Sequence, residues 1–468
     1  LHPLHVESVA WLASRKDVVS LVFFFASILA WEKAQDRGWG WMFGSAALML
    51  LACWAKNTAI VLPAVLFLIA LGRDWDGLRR RGWWAQWAPF GVVLLLVVWM
   101  SLRTGEQVGM FREPWADDQL GLLSLQSTLF ARYLGGMVLP LGLSALYEPP
   151  SSGWDHLSPW LGVISLIAIV GLGTRMQRTR PLITVGLGWF LVCLAPVSPW
   201  LSIQNLQADR YMLLPSAGLA LAVGAAWSMG IRWIRPLRIG GCVALTGFAV
   251  LTASRCLDWH SSERLWRSTV ESQPGRVDGW SALGGVVFED GREAEAEALI
   301  LEGLELHPGH PRLLQSLGTL RLQMGPRRWA EAEADLRAAL EADPTRMKAG
   351  NNLAKLLLKT GREEEALPVI QRLMMAREGY LDGWVTQGMV LMKLDRHSEA
   401  YSSFYRAHLI DPYSAKITQK LARSAWQDEK NDEGSSLAGE ALRWSLRTLE
   451  LEPGHKDAAR QVRALGGQ

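Results

Sequence analysis

Only four cysteines occur in the 468 residues, Cys53, Cys193, Cys242 and Cys256. They are scattered and form no C-x-x-C, which excludes a zinc ribbon and a disulfide framework. Charge is also sparse, at 20% of residues, while 50% are hydrophobic, too many for a disordered chain. The 44 glycines follow no three-residue period, so the chain is not collagen-like. No stripe of Lys and Arg is interleaved with aromatics, and nucleic acid is therefore not expected as a partner. Neither a basic leader nor an A-x-A site precedes the first apolar run, 18–31, which argues against a signal peptide. An initiating Met is missing too: the chain starts at Leu1, and we expect an N-terminally truncated protein.

What is abundant is tryptophan, 24 residues, a side chain that favours membrane–water interfaces because its ring is apolar and its N–H stays wet. Two unlike halves follow. Residues 1–258 carry 20 Lys and Arg against 14 Asp and Glu; residues 259–468 carry 28 against 31. The first half is apolar with clustered charge, and the second has the composition of a water-soluble domain. The expected fold class is all-α, a polytopic membrane helix bundle over 1–258 followed by an α-solenoid over 259–468.

A bilayer core needs about 20 apolar residues of helix. Eight stretches approach that length: 17–34, 39–55, 57–72, 83–102, 159–174, 181–199, 213–231 and 238–255. A ninth, 120–146, holds Arg132 and Tyr133 in its middle and either spans or lies at the surface. Loops 32–38, 73–82, 175–180 and 232–238 together hold 12 Lys and Arg. Positive loops stay cytoplasmic, and all four share one side if 120–146 does not cross. That topology puts 1–16, 56–57, 103–158, 199–212 and everything after 255 on the outer side. The expected location is an integral membrane protein, of the bacterial inner membrane, with the second half in the periplasm.

The second half shows a period of 34 residues, the mark of tetratricopeptide repeats. Trp280, Leu283, Gly284 and Ala296 recur as Leu314, Leu317, Gly318 and Ala332, then as Leu353, Ala354 and Ala366. Trp384, Gly388 and Ala400 continue the series, and Leu421, Ala422 and Ala441 form a fifth register, with a half-repeat at 259–274 leading in. Small residues at these offsets let paired helices approach, and stacked pairs build a superhelix with a concave face. Such arrays bind proteins or peptides, so a protein or peptide partner is expected there.

Ionisable residues gather in the outer loops. Residues 2–17, HPLHVESVAWLASRKD, hold His2, His5, Glu7, Arg15, Lys16 and Asp17 directly before an apolar run. Lys56 stands alone between two such runs, and QADRYMLLPSAG at 207–218 puts Asp209, Arg210 and Tyr211 at the mouth of another. Arg15, Lys16 and Trp11 could serve as interfacial anchors, and Asp209–Arg210 as a structural ion pair. Charges at a membrane face are costly unless paired or used. Arg15, Lys16, Lys56, Arg132 and Arg210 would together suit a phosphate whose lipid chain stays in the bilayer, since phosphate is held by Arg forks and Lys point charges. His5, Glu7 and Asp209 could handle protons or orient the bases. His2, His5 and Glu7 form a conceivable metal set. Zinc sites usually draw ligands from more than one segment and no H-E-x-x-H is present, so no metal is assigned.

At these residues the chain resembles a known family. HPLHVESVAW with the following RKD, the lone Lys56, RYLG with Tyr147, and ADRY followed by LPSAG, all ahead of tetratricopeptide repeats, resemble the transmembrane-and-tetratricopeptide-repeat protein O-mannosyltransferases and their bacterial relatives. The resemblance implies a C-type glycosyltransferase fold and transfer of a sugar from a polyprenyl-phosphate donor to protein hydroxyls on the non-cytoplasmic side. The loop charges themselves, apart from the resemblance, lead us to expect catalytic roles for His5 and Glu7, donor-phosphate contacts from Arg15, Lys16, Lys56, Arg132 and Arg210, and orienting roles for Asp17, Asp209 and Tyr211. The expected ligand is the lipid-linked sugar, with no further cofactor, and the expected surroundings are membrane lipid. The family carries its acidic motif in an earlier outer loop, so the reading expects this chain to lack that acid and at least two spans. A non-catalytic membrane-anchored scaffold is the competing expectation.

Overall fold

The computed structural model describes residues 2–74, 83–108, 115–116, 118–200, 205–228, 234–431, 437 and 439–466. Every regular element among them is a helix. The chain divides into two compact units, Leu1–Gly279 and Trp280–Gln468.

The first unit opens with a 3-10 turn, Pro3–His5, and a short helix, α1 (Val6–Ala10). It continues through α2 (Arg15–Arg37), α3 (Trp39–Ala55), α4 (Leu62–Arg73), α5 (Ala88–Val108), α6 (Gln119–Val138), α7 (Leu157–Met176), α8 (Pro181–Leu194), α9 (Leu213–Trp227), α10 (Ile234–Asp258) and α11 (Ser262–Ser272). Gly38, at φ 85°, ends α2 in a conformation that only glycine adopts cheaply, and the chain reverses at once into α3. Inside that hairpin Ser27 and Ser45 each donate a hydroxyl proton to the other's carbonyl at 2.7 Å. Small hydroxyl residues thus tie two apolar helices without bulk. Phe24, Trp31, Met49, Leu62, Leu66 and Phe90 fill the core around them.

Among the described residues three helices are long and apolar enough to cross a bilayer: Trp83–Thr104, Leu157–Met176 and Ile239–Asp258. Trp39–Ala55, Asn57–Arg73 and Pro181–Val197 are apolar but shorter. The stretch expected at 17–34 lies on α2; that expected at 213–231 begins on α9, and its residues 229–231 lie outside the described residues. The ambiguous stretch 120–146 is helical only to Val138, and its Asp118 cap accepts the Gly121 N–H at 2.6 Å. Of the twelve loop cations, Arg79, Arg80, Arg81 and Arg232, with the side chains of Arg235 and Arg238, lie outside the described residues.

The half-repeat at 259–274, expected to open the soluble half, sits in the first unit. Its α11 is followed by backbone that Glu148 holds: the Glu148 N–H donates to Gln273 Oε1 at 3.0 Å, and its carboxylate accepts the Gly275 N–H at 2.7 Å. The compact units divide at 279/280, within the helix Val277–Glu289.

The second unit is a stack of helix pairs: α12 (Val277–Glu289) with α13 (Glu293–Leu306), α14 (Pro311–Met324) with α15 (Trp329–Ala342), and α16 (Met347–Lys359) with α17 (Glu363–Ala376). Then come α18 (Leu381–Lys393) with α19 (His397–Ile410), α20 (Ala415–Asn431) with α21 (Glu440–Leu451), and a last helix, α22 (Lys456–Ala464). The periodic small residues stand where the helices of a pair touch. Ala296, Ala332, Ala366, Ala400 and Ala441 are fully buried. A Cβ on Gly284 would lie 2.6 Å from the Ile300 side chain, and one on Gly388 would lie 2.5 Å from the Phe404 ring. Gly284→Leu should therefore cost about 1–3 kcal/mol through overpacking, read as a lowered unfolding temperature; an unchanged midpoint would refute this packing role.

Candidate functional site

The site forms where three short segments meet the end of α2. Helical geometry turns Asp17 and Ser20, three residues apart, to the same inner face. Both are buried, while Arg15 and Lys16 point outward and are exposed. Lys56 leaves the C-terminus of α3 in extended conformation, φ −155° and ψ 122°, which carries its side chain back over α2. Its Nζ stands 2.7 Å from the Asp17 carboxylate. The third segment is the 3-10 turn Asp209–Met212, which leads into α9.

Glu7, on α1, is 2% exposed and lies under that turn. Its carboxylate accepts the Arg210 backbone N–H at 2.9 Å and also receives the Arg210 guanidinium. The guanidinium lies between two rings, 5.1 Å from each of the Trp11 and Tyr211 centroids. Burial works against the Arg210 charge, yet the Glu7 carboxylate outweighs it and moves its pKa up. For Lys56 the balance is reversed: burial moves its pKa down despite Asp17. Asp17, Ser20, Lys56, Arg210 and Tyr211 line one pocket together with the apolar side chains of Leu21, Phe24 and Leu214.

Behind this pocket, Asp209 is 2% exposed. It accepts the Tyr147 hydroxyl, and the Arg255 guanidinium lies 3.5 Å away. Burial, reinforced by the charge of Glu7, pushes the Asp209 carboxyl up to about 7. Arg255, at the end of α10, is 5% exposed and also reaches Asp258 at 3.2 Å.

The remaining expected site residues stand elsewhere. His5 Nε2 is 2.9 Å from Ser216 Oγ, whose own proton goes to the Leu213 carbonyl, so the imidazole donates there. Burial, aided by His2, pushes the His5 pKa down to about 4, which leaves the ring neutral near pH 7. Arg132 is exposed and turned to the Glu148 carbonyl at 3.2 Å and to Gln207 Oε1 at 3.1 Å. His2 bonds the Met137 carbonyl at 3.1 Å. Among the described residues no group of three His, Cys, Asp or Glu is placed to hold a metal. The structure thus gathers Glu7, Asp17, Lys56, Arg210 and Tyr211, sets Asp209 behind them, and leaves Arg15, Lys16, Arg132 and His5 outside the pocket lining. Arg255 was missed, because an Arg closing an apolar run reads as an ordinary interfacial anchor.

The tetratricopeptide-repeat pattern matches residues 257–311 and 322–380. Protein O-mannosyl-transferase Tmtc3 of Drosophila melanogaster is 21% identical, over 85% of this chain and 51% of its own length. Protein O-mannosyl-transferase TMTC3 of Homo sapiens is 21% identical, over 97% of this chain and 55% of its own. The chain is a homologue of these O-mannosyl-transferases. It spans about half the length of the curated relatives it matches. With its apolar helices, the homologue is a membrane protein carrying tetratricopeptide repeats. A solved structure, YrrB, described as a TPR protein with an unusual peptide-binding site, aligns over 42% of this chain and 96% of its own, at 19% identity and TM-score 0.34.

Proposed function

We propose that this chain is part of a membrane glycosyltransferase. It takes a sugar from a polyprenyl-phosphate donor and passes it to protein hydroxyls on the non-cytoplasmic side, here the periplasm of a bacterial inner membrane. The repeats hold the acceptor or a partner protein. The observation that carries this reading is the pocket shared by Lys56 and Arg210, two cations 154 positions apart in sequence. Each is held by a buried carboxylate and keeps further N–H donors, three on an ammonium and five on a guanidinium in all. The apolar lining residues Leu21, Phe24 and Leu214 suit the hydrocarbon end of a lipid-linked phosphate. Glu7 and Asp17 act as positioning residues for the cations, and Tyr211 flanks Arg210. The excess of Lys and Arg in the loops opposite supports the sidedness.

A second reading, a non-catalytic scaffold, draws on the same pairs: cations neutralised by their own carboxylates can be purely structural. One double variant separates the two. Asp17→Asn with Lys56→Gln removes both charges together, so no buried ion is orphaned. A charge-assisted contact to phosphate contributes about 1.5–3 kcal/mol. In the complete protein, transfer from a radiolabelled polyprenyl-phosphate sugar should then fall roughly tenfold or more while the unfolding temperature holds. Undiminished transfer in the double variant would make the pair purely structural, and no transfer by the unsubstituted complete protein would leave the scaffold.

A further inference from the structure

The repeats separate charge by helix. The helices that open the pairs after the first, α14, α16, α18 and α20, with α22, carry 13 Lys and Arg against 4 Asp and Glu, whereas α12, which opens the first pair, carries two acids and no cation. The helices that close them, α13, α15, α17, α19 and α21, carry 5 against 15. Acids of the second helices are drawn into junctions: Arg321 binds Glu297 at 2.7 Å and Asp335 at 2.8 Å, and Arg362 binds Glu333 at 2.9 Å. The first helices pack on one another in succession, α14 on α16 and α16 on α18, whereas among the described residues no two second helices make a comparable contact. The first helices therefore form the inner, concave side of the stack.

On that side the 34-residue period lays side chains in rows. Positions seven and eleven residues apart on one helix share a face. Lys348, Lys355 and Lys359 of α16 have such spacing, and the same three positions one and two periods later are Asp382, Met389 and Lys393 of α18, and Lys416, Arg423 and Gln427 of α20. Six of these nine are cations and one is an acid. Lys348, Lys355, Lys393, Lys416 and Arg423 have no carboxylate within ion-pair distance among the described residues, although acids are plentiful on the helices behind; Lys359 stands over the Trp329 ring of α15. Between the cations the half-buried Met389 and Met392 offer apolar contact.

We infer that the concave face of α16, α18 and α20 binds an acidic, extended protein segment with an aliphatic residue among its carboxylates. The inference rests on the reading of the repeats as a partner-binding module and names the chemistry of that partner. Charge complementarity selects an anionic partner. The methionines select a peptide, since their thioethers adapt to varied apolar side chains. A flat anionic bilayer cannot follow a concave surface.

The test uses the full chain in detergent micelles. The probe is a fluorescein-labelled peptide of about ten residues, Glu alternating with Ala around a central Leu, and its counterpart has Lys in place of Glu. The acidic peptide should bind and the basic one should not. Lys355→Glu with Arg423→Glu should weaken the acidic peptide roughly tenfold or more, given charge pairs of this kind. The neutral pair Lys355→Gln with Arg423→Gln should fall between, which guards against a folding defect. Equal binding of both peptides would overturn the inference. Wild-type affinity in the charge-reversed variant would do so as well, and so would Lys355-dependent binding to phosphatidylglycerol vesicles without binding to the peptide. Sugar transfer, measured on the same preparations, reports on the donor pocket separately.

Discussion

Glu7→Ala should be among the most damaging truncations in the first unit. Glu7 is 2% exposed and meets both the backbone N–H and the guanidinium of Arg210. Removing it orphans a buried donor and a half-desolvated cation at once. Breaking a buried ion pair from one side costs about 3–5 kcal/mol. The Arg210 side chain keeps 14% exposure and two aromatic neighbours, so the lower end of that range applies. Thermal unfolding of the full chain in detergent should show a clear fall. Glu7→Gln keeps an oxygen for the N–H but not the charge, and its loss should be smaller. A Glu7→Ala protein that unfolds like the parent would mean that the turn Asp209–Met212 is held by other contacts.

The second large effect is expected where α8 and α9 cross. A Cβ on Gly186 would lie 2.5 Å from the Gly218 carbonyl oxygen and 2.7 Å from the Ala222 nitrogen. A Cβ on Gly218 would meet the Gly186 carbonyl at 2.5 Å in return. These neighbours are backbone, which cannot rotate aside as a side chain does. Close crossings through small residues are how helices associate in lipid, where burial of apolar surface gives little drive. Gly186→Val should force the helices apart and lose about 3 kcal/mol or more, the upper end for overpacking. Gly224, on the same α9, has nothing within 4 Å of an added Cβ. Gly224→Ala should therefore leave unfolding unchanged. Equal behaviour of the two variants would contradict the tight crossing.

Much of the second unit was legible because a repeat states the same contact five times. Gly284, Gly318 and Gly388 recur at one offset, and each meets a large side chain from its paired helix. The site was legible in part. Lys56 stands out from apolar surroundings as an isolated cation, Arg210 sits beside Asp209 at the mouth of an apolar run, and both cations line the pocket. Composition could not tell Asp17 from its neighbours Arg15 and Lys16, since only the rotation of about 100° per residue along α2 sends one inward and two outward. Nor could it pair Glu7 with Arg210, 203 positions away. Arg255 has no signal of its own; its meaning lies in Asp209, which the fold brings beneath it.

The two pairs at the pocket, Lys56 with Asp17 and Arg210 with Glu7, make it formally neutral before any ligand arrives. A neutral site gathers no atmosphere of small ions, so an entering anion displaces none. The concave face of the repeats is the opposite case, six cations in three rows with one acid among them. Mobile anions collect over such a face, and a bound segment must expel them; above about 0.1 M ionic strength the field there is cut off within roughly 10 Å. The two surfaces of one chain thus respond differently to the electrolyte around them, the pocket nearly indifferent and the groove strongly tuned by it.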